Sequence, residues 1–164
     1  MNDSFIELLV PRKTRAQDIL IRCLLIAVTA VVAVMTFGYP ILMVLLVGAI
    51  AADYFLLPRL SVEYEYAYVN GELDVDAVYA RSSRKHLASY DLRNVECIAP
   101  VNSHELDSYD ASWKTVDYTS LDPSAKVYAA VLSSNGTRMK VLLELNEEML
   151  SDLKMRNPRK VFLY

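Results

Sequence analysis

Residues 19–57 read ILIRCLLIAVTAVVAVMTFGYPILMVLLVGAIAADYFLL, two apolar runs separated by Gly38-Tyr39-Pro40. The first, 19–37, is broken only by Arg22 and comes close to the ~20 residues that cross ~30 Å of hydrocarbon at 1.5 Å each. Gly38 and Pro40 break that helix and start the next, 40–57. So short a turn makes the two spans antiparallel neighbours, a transmembrane helical hairpin. Neither run has the polar face of a water-exposed helix. The long charged lead, the lack of a small-x-small site and the immediate second span all argue against a cleaved signal peptide.

Working outward, Arg12, Lys13, Arg15 and Arg22 precede or begin the first span, Arg59 follows the second, and the turn between them has no basic residue. The positive-inside rule then puts both flanks, and so both termini, in the cytoplasm of a cell with this two-span protein in its membrane. On that reading the sequons at Asn2 and Asn135 are not glycosylation sites. The N-terminal segment 1–18 includes an apolar stretch, Phe5 to Val10, that Pro11 ends. It is expected to lie in the membrane interface or against the soluble domain, with partner docking as the alternative. Within the hairpin, Gly48 and Ala52 form a small-xxx-small pair expected to seat against Ala27, Ala30 or Ala33. Arg22 and Asp53 sit at similar depths and are expected to neutralise each other, with a proton or ion site as the sharper alternative.

At Ser61 the period changes to two. Val62, Tyr64, Tyr66 and Tyr68 share one face and Glu63 and Glu65 the other, so the stretch reads as a half-buried strand. Asn70-Gly71 is the preferred two-residue hairpin turn, after which Leu73, Val75 and Ala77 alternate with Glu72, Asp74 and Asp76. RSSRK is expected to turn into a strand HLASYDL, and VECIAPV to be a fourth strand. AKVYAAVLS and TRMKVLLEL flank a second such turn, Asn135-Gly136. A final helix, about 146–156, is marked by Asn146 as N-cap, Glu147 and Glu148 in its first turn, and Lys154 and Arg156 in its last. PRKVFL reads as a closing extended segment.

Six or so antiparallel strands and a terminal helix over residues 61–164 resemble the pleckstrin-homology-like (PH-like) domains that bacteria attach to two-helix membrane anchors. The order of VPRK (10–13), a helical hairpin, YEYAYVNGELDVDAVYARSSRK (64–85) and NPRKVFL (157–163) is similar to a family of uncharacterised small membrane proteins of Gram-positive bacteria. The resemblance implies an α+β membrane protein with a PH-like β-barrel or sheet capped by a C-terminal helix. It implies no activity, since a fold is not a mechanism.

Of 17 basic and 20 acidic residues, four of each precede Pro58, leaving the soluble part acidic by three. Such a balance lacks the basic field of a nucleic-acid binder. Cys23 and Cys97 lie in different environments and are not expected to pair. The two histidines, His86 and His104, offer no zinc-ligand spacing, and no nucleotide-binding glycine motif or nucleophile elbow occurs, so neither an enzyme nor a cofactor is expected. Asp74 and Asp76 read as a solvated strand face, and Cys97 as a buried thiol. Arg81, Arg84 and Lys85 form a basic cluster on a turn, a candidate lipid contact with a solvated turn as the plainer alternative. The interval 102–122 interleaves acids with Tyr109, Trp113 and Tyr118, a candidate docking loop or a flap plugged by Trp113. These features fit a cytoplasmic interaction module for protein or lipid, alone or as a homo-oligomer. An accessory subunit of a transport or envelope complex, working through the hairpin, is the alternative.

Overall fold

The computed structural model describes residues 5–80, 83–109, 113–134 and 137–163. Strand β1 (Phe5–Pro11) is followed by helices α1 (Ala16–Thr36) and α2 (Met43–Leu56), the second entered by a 3-10 turn at Pro40–Leu42 and continued by another at Leu57–Leu60. Seven strands follow, β2 (Val62–Val69), β3 (Glu72–Tyr79), β4 (Ser83–Asp91), β5 (Cys97–Pro100), β6 (Lys114–Asp117), β7 (Tyr128–Ser134) and β8 (Thr137–Leu143), and then helix α3 (Glu147–Arg156). They form two four-stranded sheets, ordered β1-β2-β3-β4 and β5-β7-β8-β6. Every pairing is antiparallel except β6 with β8.

The alternation read in β2 and β3 sets their burial. Tyr64, Tyr66, Tyr68, Leu73, Val75 and Ala77 face the core. At the turn Asn70 and Gly71 both take positive φ, 50° and 92°, as a two-residue turn matched to strand twist requires. Opposite them lie Ile98, Ala130, Leu132, Val141 and Leu143 of the second sheet, with Met149 and Leu153 of α3 closing the core. The Asn146 side chain caps α3 by accepting a hydrogen bond from the Met149 N–H at 2.8 Å. Asn146→Ala is expected to lower stability by about 1 kcal/mol in urea unfolding without changing the fold. Val161 adds a parallel bridge to Ile98, which realises the closing extended segment. The Asn135-Gly136 turn lies outside the described residues.

Of the two places expected for the N-terminal stretch, the structure has it against the soluble domain, and as a strand of it. Phe5 to Pro11 does not lie along an interface but pairs in full with β2, from Phe5 opposite Val69 to Pro11 opposite Glu63. Ile6 and Val10 enter the core while Phe5 and Leu9 face outward. The helical hairpin is therefore an insertion between two adjacent strands of one sheet, and the division at residue 61 cuts through the domain.

The segments Ala16–Thr36 and Pro40–Leu60 each have 21 residues and are long and apolar enough to cross a membrane. They meet along a half-buried seam of Leu25, Thr29 and Val32 against Leu46, Ala49 and Asp53, spaced three and four apart. The Thr29 hydroxyl donates to Asp53 at 2.7 Å. Two sequence expectations fail here for one reason. With Asp53 level with Thr29, Arg22 lies seven residues, or ~10 Å, away along the axis, and no ion pair joins it to Asp53. Turning a polar carboxylate toward a donor also rotates α2, since an unsatisfied polar group is costly among apolar neighbours. Gly48 and Ala52, each one residue before a seam residue, then point outward. Both are exposed, and a Cβ added at Gly48 would meet nothing within 4 Å.

Candidate functional site

The end of α2 and the first sheet enclose a cleft of about 1080 Å³, walled by Asp53, Tyr54 and Arg59 from the hairpin and by Tyr79, Ser83 and Lys85 from β3 and β4. Ser61 alone links the hairpin to β2, and its carbonyl accepts from the Ala80 N–H at 3.0 Å, tying the hairpin's base to the β3–β4 turn. On the other flank the Lys13 N–H donates to the Ser120 carbonyl at 2.7 Å and its ammonium pairs with Asp122 at 2.8 Å. Lys13, together with the Ser124 N–H and hydroxyl, holds the Asp122 carboxyl well below the usual carboxylate range. Both roots of the hairpin are thus bonded to the domain rather than trailing from it.

Strand geometry divides the basic cluster. Arg84 and Lys85 lie in β4, not in a turn, because β4 begins at Ser83, while Arg81 lies outside the described residues. Arg84 stands opposite Val78 on the outer face, where its guanidinium reaches both oxygens of Glu65 at 2.7 and 2.5 Å. Lys85, one residue on, stands opposite Ala77 and turns to the cleft. No ion pair joins Lys85 or Arg59 to a described residue. In the sequence, Arg59 bears on orientation alone. The sequence signal for its part in the cleft is the Tyr54-Phe55 pair before it, aromatic and basic residues together at the end of an apolar helix.

On the outer face, His86 Nδ1 lies 2.8 Å from an Asp76 oxygen, and its Nε2 lies 3.2 Å from the Ser89 hydroxyl. A register shift beside Asp76 puts His86 and Ser89, three apart, on one face. The order Asp-His-Ser is that of a hydrolytic triad. However, all three groups sit on an exposed sheet surface outside the cleft at the hairpin's base. The geometry supports an ion-pair network tying β4 to β3.

The aromatic interval also divides. Tyr118 is not available for docking. It is buried in the core, where its carbonyl accepts from the Tyr66 hydroxyl at 2.6 Å and its own hydroxyl lies 3.0 Å from that of Tyr90. Tyr109 and Trp113 pack edge to face with ring centroids 5.9 Å apart, over Cys97, Ala99 and Val131 on the back of the second sheet. Arg138 lies over the Trp113 ring at 5.2 Å. Burial pushes the Cys97 thiol up, and Glu105 adds to the shift, so the group is poorly suited to act as a thiolate. Among the described residues, no group of three or more His, Cys, Asp or Glu side chains is arranged to hold a metal ion.

The profile of the family described as Bacterial PH-like domain (DUF6106) matches residues 2–163. The chain belongs to that family. Because the match spans β1, the hairpin and α3 alike, this PH-like domain includes the hairpin within its bounds. No curated protein and no solved structure matches the chain.

Proposed function

We propose that this PH-like protein is a membrane-tethered interaction module whose hairpin anchors the domain and whose domain engages a protein or lipid at the cytoplasmic surface. The observation that carries the reading is the insertion of the hairpin between paired strands β1 and β2. Both flanks of the hairpin join one sheet, so they share one side of any membrane it crosses. The basic residues at those flanks favour the cytoplasmic side. Four residues at one root and one at the other leave little slack, and the sheet end bearing Pro11, Glu63 and Tyr79 stays close to the bilayer.

A second reading, an accessory subunit working through the hairpin, draws on the outward turn of Gly48 and Ala52. Small residues on a lipid-facing surface admit close approach by another helix. Protease treatment of oriented bacterial membrane vesicles tests the first reading. The chain is expected to resist carbonate extraction, and its domain is expected to be cleaved in inverted vesicles but protected in right-side-out ones. Cleavage in right-side-out vesicles, or release by carbonate, would overturn it. In-membrane crosslinking that captures partners through the domain surface favours the module, whereas capture only through α2 favours the subunit.

A further inference from the structure

The cleft at the hairpin's base supports an inference that rests on the membrane-tethered reading. Its wall joins the end of an apolar helix to a sheet, so a lipid beside the hairpin reaches it without leaving the bilayer surface. Arg59 and Lys85 line it with no described ion-pair partner, while their neighbour Arg84 is engaged by Glu65 on the far face. Uncommitted cations beside an anionic leaflet attract phosphate. Among the described residues, the remaining charged group on the wall is Asp53, which accepts from Thr29. Two cations against one carboxylate leave one positive charge in excess, the complement of a headgroup carrying one net negative charge.

A volume of about 1080 Å³ is at the upper end of small-ligand sites and has room for a phosphate, a polar headgroup and the glycerol that bears them. Tyr54 and Tyr79 add aromatic faces and hydroxyls at the level where a headgroup lies. We propose that this cleft binds the headgroup of a monoanionic phospholipid of the phosphatidylglycerol type. Arg59 and Lys85 take its phosphate, and Asp53 accepts from a headgroup hydroxyl.

The full chain in phosphatidylcholine nanodiscs, probed with trace spin-labelled lipids, tests this. Spin-labelled phosphatidylglycerol is expected to be enriched at the protein over spin-labelled phosphatidylcholine. R59Q and K85Q are each expected to cut the enrichment by roughly fivefold, and the double variant to abolish it. R84Q, which alters the outer face, is expected to leave it within twofold. Equal immobilisation of the two lipids, a preference for phosphatidylethanolamine, or enrichment unchanged in R59Q/K85Q would each overturn the site. A chain that still copurifies with the nanodisc in those cases keeps its tether, whereas one that dissociates from the disc would overturn the tethered reading instead.

Discussion

Replacing residues 14–60 with Asn-Gly is expected to yield a soluble, folded β domain, whereas the fragment starting at Ser61 is expected to aggregate or stay unfolded. The first chain keeps β1 and closes it onto β2 where the ladder already leads. Pro11 stands opposite Glu63, and the Arg12 N–H donates to the Val62 carbonyl at 3.2 Å. Lys13-Asn-Gly-Ser61 then makes a two-residue hairpin turn of the kind already present at Asn70-Gly71. The second chain loses β1. Ile6 and Val10, 7% and 3% exposed, leave the core, at roughly 1.5–3 kcal/mol each. Tyr64, Tyr66 and Tyr68 then sit on an unprotected edge strand, which invites intermolecular pairing. Against the ~5–15 kcal/mol that stabilises a whole domain, this loss is large. Circular dichroism, gel filtration and urea unfolding of the two chains decide the matter. Equal midpoints would show that β1 is dispensable, and with it the view of the hairpin as an insertion.

That comparison also shows where the sequence is legible. The hairpin, the β2–β3 unit and α3 follow from local rules, namely length and apolarity, strict alternation around Asn-Gly, and capping with dipole-matched charge. β1 obeys the same alternation, with Ile6, Leu8 and Val10 on one face. Because Phe5 and Leu9 are apolar as well, the stretch reads as a continuous apolar run, and its true partner begins 51 residues beyond Pro11 in the chain. β6 is short and pairs in parallel, so no local turn announces it. Tyr118 looks like its exposed neighbours until β6 carries it to the core and its carbonyl meets Tyr66.

The cleft was only half legible for the same reason. The sequence marks Lys85 as a candidate lipid contact, but in the company of Arg84, and only the register of β4 on β3 shows that the two face opposite ways. Arg59 is distant in sequence from both and joins Lys85 only because the hairpin returns to the sheet beside the β3–β4 turn. The sequence does not show the Asp53 partner because the outer ends of the apolar runs do not set the level: the hairpin bends at the 3-10 turn Pro40–Leu42, and side chains equally far from that bend, such as Thr29 and Asp53, meet.

The second large effect is expected at the far end of the domain, where Asp152→Ala should cost about 1–3 kcal/mol, against about 0.5–1.5 kcal/mol for Tyr68→Phe. The Tyr68 hydroxyl is fully buried and donates to Asp152, which also accepts from the Arg156 guanidinium at 2.7 Å, four residues on in α3. Arg156 also donates to the Asn70 side chain at 3.2 Å, so the network fastens α3 to the β2–β3 turn. Burial and the neighbouring carboxylate push the Tyr68 phenol far above its ordinary range, which keeps it a proton donor at any physiological pH. Removing Asp152 strands that donor in the core. Removing the phenol leaves the carboxylate bonded to Arg156, which is why the two costs differ. In a double-mutant cycle the pair is expected to show a coupling of about 0.5–3 kcal/mol, read as a shift in urea midpoint at unchanged m-value. A coupling of zero would mean that α3 is held by Met149, Leu150 and Leu153 alone, and Asp152 would then be a charge tolerated at the edge of the core.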